Sequence, residues 1–176
     1  MVIGLPREGL SPAWEKDFAA YCGVEHCVAM NSGTAAIALL LQAHGIGPGD
    51  EVITVANSFF ASAEAIAEIG ATPVLVDCDE RSALIDPAKI GAAITTKTRA
   101  ILPVHLYGQV APMDEILAIA KTRNLLVFED AAQSQGAMYK GKRAGGLAHG
   151  ADTSFYPGKN LGAYGKDWHG GGERGL

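Results

Sequence analysis

Leu125-Leu126-Val127-Phe128-Glu129-Asp130-Ala131-Ala132-Gln133 carries the reading of the fold. Its apolar run has no polar alternation, which is the pattern of a strand covered on both faces and hence of a parallel sheet. The run stops on two acids followed by small residues. That order places a carboxylate at the carboxyl edge of the sheet, where the ligands of α/β folds bind. Asp130 is equally readable there as a helix cap or a turn residue.

Strand and helix signals alternate on both sides of this stretch. Helical spacing of Trp14, Phe18 and Tyr21 predicts a helix over Trp14–Cys22, and further helices are expected after Asn31-Ser32-Gly33-Thr34 through Leu41, over Phe60–Ile69, Pro87–Ile94 and Met113–Thr122. Short strands are expected at His26–Met30, Glu51–Ala56, Pro73–Asp77, Ala100–His105, Leu125–Glu129 and Asp152–Tyr156. The alternation predicts a three-layer α/β/α domain with a mostly parallel sheet.

Composition narrows the function classes. At 176 residues, 48% apolar and 19% charged, the chain reads as one globular domain large enough to bury a core. A net charge of −5 with no Lys/Arg run argues against nucleic acid as a partner. The longest apolar stretch, Ala35–Leu41, is too short to span a membrane, and Met1–Glu8 lacks the pattern of a signal peptide. Cys22, Cys27 and Cys78 are odd in number and match no metal-ligand spacing, so reduced cytoplasmic thiols and no metal are the expectation.

The chemistry-bearing residues gather at expected strand ends. Asn31-Ser32-Gly33-Thr34 lies between a strand and a helix, where free N–H groups and the helix dipole attract an anion; an ordinary cap by Ser32 or Thr34 reads the same way. Phe59 and Phe60 suit either core or a platform for a planar ring. His105 suits either a satisfied core histidine or a site residue. In Ser154-Phe155-Tyr156-Pro157-Gly158-Lys159-Asn160-Leu161-Gly162, a Pro-Gly breaker presents a lone Lys immediately after a strand. An anion site, an aromatic, a buried carboxylate, a hydroxyl and an amine in one crevice meet the needs of pyridoxal phosphate. Two glycine motifs are rejected. Gly45-Ile46-Gly47-Pro48-Gly49 follows a helix rather than a strand, so it is no dinucleotide fingerprint, and Gly158-Lys159 lacks the remainder of a P-loop.

Several stretches in order, Asn31-Ser32-Gly33-Thr34-Ala35-Ala36, Gly47-Pro48-Gly49-Asp50-Glu51-Val52-Ile53, Asn57-Ser58-Phe59-Phe60-Ala61, Pro103-Val104-His105-Leu106-Tyr107-Gly108, Glu129-Asp130-Ala131-Ala132-Gln133 and Ser154 to Gly162, resemble the DegT/DnrJ/EryC1/StrS family of pyridoxal-phosphate-dependent sugar aminotransferases. The resemblance runs from about Trp14 to Gly165 and implies the large domain of the fold-type-I transferases. It implies pyridoxal 5′-phosphate as cofactor, a nucleotide-linked keto sugar and an amino donor such as glutamate as substrates, and a homodimer for the full-length enzyme. By the same resemblance, Gly33, Thr34 and Ser154 hold the cofactor phosphate, Phe59 stacks on the ring, Asp130 pairs with the ring nitrogen and Gln133 bonds the phenolic oxygen. Lys159 forms the Schiff base and shuttles the proton. A family branch with His in place of that Lys consists of dehydratases, so Lys159 favours transamination.

The chain also departs from the family pattern. By the resemblance, residues 1–165 are expected to be the cofactor-binding domain with a shortened N-terminal arm and residues 166–176 an irregular tail outside the pattern, with the small C-terminal domain absent. Lys166-Asp167-Trp168-His169 stands where the family continues as Gly-Asp-Gly-Gly-Ala-Val-Val, its return strand into the sheet. The expectation is therefore a truncated member with an uncovered sheet edge, weak cofactor binding and no measurable turnover of its own. A non-catalytic remnant and a pyridoxal phosphate enzyme of another reaction type, such as a sugar dehydratase, are the alternatives.

Overall fold

The computed structural model describes residues 2–4 and 12–162. Nine strands and five helices are found among them: β1 Val2–Gly4, α1 Pro12–Cys22, β2 Val28–Met30, α2 Gly33–Ala43, β3 Glu51–Val55, α3 Ala61–Glu68, β4 Thr72–Val76, α4 Pro87–Ala93, β5 Thr98–Leu102, α5 Met113–Arg123, β6 Leu126–Asp130, β7 Met138–Tyr139, β8 Lys142–Arg143 and β9 Gly150–Ser154. Seven strands form one sheet in the order β2-β1-β9-β6-β5-β3-β4, with every pairing parallel. The three-layer α/β/α expectation holds.

Side chains alternate across the sheet because successive residues of a strand face opposite sides. Val52, Ala100, Leu102 and Phe128 face α2 and α3, where Ile37, Leu40, Leu41 and Ile66 close one core. Ile53, Val55, Ile101 and Val127 face the other way, against Ile90 of α4 and Met113 and Ile116 of α5. Fully burying side chains of this size stabilises the fold by roughly 1.5–3 kcal/mol each, which is why both faces must be covered. Helix starts are locally encoded. Asp86 accepts the Ala88 N–H at 2.9 Å and Pro87 follows it, so α4 begins with an acidic cap and a residue pre-set for helix.

A third cluster joins α1 to the exit of β9. Phe18 and Trp14 pack edge-on against the Phe155 ring, with centroids 5.1 and 5.3 Å away, while Ala19, Cys22 and Cys27 fill the remainder. Tyr21, expected on the apolar face of α1, lies at its margin with Arg143 over its ring at 4.0 Å.

Three features depart from the sequence reading. The last strand, β9, is not at a sheet edge: β1 inserts between β9 and β2, matching Val2, Ile3 and Gly4 to Asp152, Thr153 and Ser154, and the edges are β2 and β4. Three extended residues suffice, since a ladder asks only for free backbone groups in reach. The irregular tail read over residues 166–176 lies outside the described residues. The last strand ends at Ser154 rather than Tyr156, because Phe155 leaves the ladder to reach α1. Finally, β7 and β8 form a hairpin across Lys140-Gly141, whose φ angles of 49° and 81° suit a two-residue turn of positive φ. Two-residue strands carry too little periodicity to be read in advance.

Candidate functional site

A cavity of about 740 Å³ opens at the carboxyl edge of the sheet. Its wall includes Gly33 and Thr34 from the start of α2, Phe59 before α3, Asp130 and Gln133 after β6, and Ser154 and Lys159 after β9. All seven residues expected in a site therefore line one cavity. The parallel topology brings them together, since every βα connection leaves the sheet at the same edge.

The α2 terminus forms one wall. Ser32 is extended, with φ −159° and ψ 160°, and its Oγ accepts the Ala35 N–H at 3.1 Å, so Ser32 is the cap. The first-turn N–H groups of Gly33 and Thr34 have no acceptor within the helix and carry the positive end of its dipole. Gly33 also sets how closely the helix approaches β9. A Cβ built there would stand 3.1 Å from Ser154 Cβ, so a larger residue separates the hydroxyl from the N–H groups. An anion held by N–H groups and one hydroxyl fits this wall.

Asp130 forms the floor. It is buried, with Oδ2 accepting the Ser62 hydroxyl at 2.7 Å and Oδ1 accepting the Ala132 N–H at 3.2 Å. Ser58 lies 3.1 Å from Ser62, Oγ to Oγ, and continues the chain of hydroxyls. These donors hold the carboxylate in one orientation while it still lines the cavity. Gln133 is oriented too. Its Oε1 accepts the Tyr107 N–H at 3.0 Å, which leaves its amide N–H₂ for other acceptors.

Lys159 follows the turn Tyr156-Pro157-Gly158-Lys159, closed by a Lys159 N–H to Tyr156 C=O bond of 2.8 Å. Its ammonium has no ion-pair partner among the described residues. Gln135 braces the turn from below, its Nε2 donating to Ser154 O at 2.6 Å and Thr153 Oγ1 at 2.8 Å, while Asn160 Nδ2 donates to Gln135 O at 2.9 Å. At the mouth, Phe59 and Tyr156 are each about 70% exposed, so Phe59 is free to take a ring against its face.

His105 is not a site residue. It is fully buried, and its Nδ1 accepts the Ala111 N–H at 3.1 Å, which places the proton on Nε2, 3.0 Å from Glu129 Oε2. Glu129 also accepts N–H groups from Gly145, Leu147 and Ala148 at 2.7–3.0 Å. Of the two acids ending β6, one pins the loop before β9 and the other faces the cavity, because neighbours in a strand face opposite ways.

Ser58, Ser62, Gln135 and Asp152 escape the sequence reading. Short polar residues in turns and helices carry no signal of their own, and Asp152 reads in sequence only as the start of a strand.

A family model described as the DegT/DnrJ/EryC1/StrS aminotransferase family matches residues 10–171. The chain belongs to this family. It is 56% identical over 151 residues to the "Pleiotropic regulatory protein" of Geobacillus stearothermophilus, covering 86% of this chain and 41% of the relative. It is 54% identical over 146 residues to the GDP-perosamine synthase of Caulobacter vibrioides, covering 83% of this chain and 39% of that one. Among solved structures, DesV of S. venezuelae, in complex with a ketimine intermediate, superposes with a TM-score of 0.84 at 48% identity over 90% of this chain and 44% of its own. The chain thus spans about two fifths of the length of its curated relatives. Members of the family bind pyridoxal or pyridoxamine phosphate. Among the described residues, no helix is long and apolar enough to cross a membrane.

Proposed function

We propose that this chain carries the pyridoxal 5′-phosphate site of a cytoplasmic aminotransferase that acts, as a homodimer, on a nucleotide-linked keto sugar with glutamate as the amino donor. The observation that carries the reading is the convergence of a helix N-terminus, an oriented buried carboxylate and a lysine on one cavity. Family membership supplies the reaction class, and the substrates that relatives are named for supply the sugar.

Each group has a task that its environment suits. The Gly33 and Thr34 N–H groups and the Ser154 hydroxyl hold the phosphate, and Phe59 covers one face of the ring. Asp130, held by Ser62 and Ala132, pairs with the ring nitrogen and keeps a proton there. Gln133 donates its amide N–H to the phenolic oxygen. The Lys159 amine holds the cofactor covalently and afterwards moves a proton at Nζ. The cofactor, when bound, supplies an electron sink for the carbon that carries the amino group.

Asp130→Asn tests the electronic part of the reading. In a full-length enzyme carrying this domain, the variant is expected to keep the cofactor bound yet lose at least ~10²-fold in cofactor-dependent exchange of the glutamate α-proton, the size of effect seen when a positioned electrostatic group is removed. Exchange into D₂O followed by proton NMR measures it. A near-parental exchange rate would reduce Asp130 to a turn residue.

A further inference from the structure

Beside Asp130 stands a second carboxyl group to which neither the family reading nor the sequence assigned a role. Asp152 on β9 is the register partner of Asp130 on β6, so the two side chains project from adjacent strands on the same sheet face. That face is the one turned to α2, because the preceding register pair on that face is Phe128 and Gly150, and a Cβ at Gly150 would meet Leu40 of α2 at 2.9 Å. Both acids line the cavity. Asp152 is completely buried, and neither of its carboxyl oxygens has a hydrogen-bond partner among the described residues.

A carboxylate in that position lacks what a buried charge requires. Burial pushes the Asp152 carboxyl well above its ordinary range, and the negative charge of Asp130 beside it pushes the same way. Its own backbone N–H, too poorly placed to count as a hydrogen bond, and the Lys159 ammonium oppose the shift, while Glu129 adds to it. Among the described residues, the other elements packed against β9 bring no further charge. The α2 segment Gly33–Ala43 contains no titratable side chain, and neither does β1.

We propose that Asp152 and Asp130 form an acid pair on the cavity floor, in which Asp152 carries the single proton and donates it to the Asp130 carboxylate, so that the floor offers one negative charge to a docking ring. Asp152 is then a positioning residue. Its O–H is a third donor to Asp130 beside Ser62 and Ala132, and it comes from the neighbouring strand, which supplies neither of those. A floor bearing two charges would overcompensate one ring N–H and repel the phosphate held at α2. One charge matches one protonated nitrogen. This consequence rests on the cofactor reading, whereas the proton sharing itself does not.

The pairing is testable without cofactor. A folded acid that keeps its proton above the range in which the unfolded chain loses it makes the folded state the better proton binder. Stability then falls as pH rises from about 4 toward the folded value. Asn has the shape of the neutral acid and no proton to lose. Urea unfolding of the chain and of Asp152→Asn from pH 4 to pH 8 is expected to give equal midpoints at pH 4 and a parental midpoint that drops progressively below the variant's as pH rises. Superimposable profiles would overturn the proton assignment. In an Asp130→Asn background the gap opened by Asp152→Asn is expected to shrink, since the like charge is gone; an unchanged gap would overturn the pairing.

The donor role has its own arm, read by fluorescence titration with pyridoxal phosphate. Asp152→Asn, whose amide still donates, is expected to bind within about threefold of the parent, and Asp152→Ala at least about tenfold more weakly, the order of one hydrogen bond to a charged group. Equal binding by both variants would overturn the donation. Failure of the parent itself to bind would count against the cofactor reading and leave the unfolding results to decide the acid pair.

Discussion

Replacing Lys159 with Ala is expected to abolish specific covalent capture of pyridoxal phosphate. If the Lys159 amine holds the cofactor, borohydride reduction of the loaded chain fixes the label on one peptide, the one containing Lys159, and the variant shows none there. The expectation follows from placement. Lys159 stands on a turn closed by its own N–H, and it lines the same cavity as Asp130 and the α2 terminus. Surface lysines such as Lys97 and Lys121 have no such company, so their labelling depends on reagent concentration alone. Peptide mapping by mass spectrometry separates the outcomes. Label spread evenly over surface lysines in parent and variant alike would remove the central claim.

The second large effect is on stability. Glu129→Leu is expected to destabilise the fold by at least ~3 kcal/mol, because hydrogen bonds to a charged acceptor are worth about 1.5–3 kcal/mol each and the donors left behind stay buried. Four donors lose their acceptor at once: the His105 imidazole and the N–H groups of Gly145, Leu147 and Ala148. The His105 ring cannot turn to compensate, since it already uses Nδ1 to accept the Ala111 N–H. The loop before β9 is expected to loosen with it, and so weaken the cavity from behind. Urea unfolding midpoints and hydrogen exchange at residues 145–148 report the two effects. A loss below ~1 kcal/mol, less than one such bond is worth, would mean that water replaces the carboxylate and that the network matters little.

The two acids of β6 illustrate how one dipeptide divides its labour. Glu129 and Asp130 are adjacent in sequence, yet the pleat sends one to a structural network under the sheet and the other to the cavity above it. The same alternation selects Asp152 and Ser154 for the cavity.

Local chemistry was enough to mark the main elements, while the resemblance to the family singled out the seven residues that line the cavity. An apolar run without alternation marks β6 as a doubly covered strand, Asp86-Pro87 starts α4, and the Pro157-Gly158 breaker ends the last strand near Lys159. Because all the major strands run parallel, knowing where each ends is enough to place Gly33, Thr34, Phe59, Asp130, Gln133, Ser154 and Lys159 at one edge. Three things belong to the tertiary structure alone. Insertion of Val2–Gly4 between β2 and β9 is a pairing of remote segments, and a ladder is satisfied by any backbone within reach, so no side-chain pattern announces it. The choice between core and site for His105 depends on Ala111 and Glu129, six and twenty-four residues away. The environment of Asp152 comes from register: only the pairing of β6 with β9 sets it beside Asp130, and only the packed layers around it bury it completely.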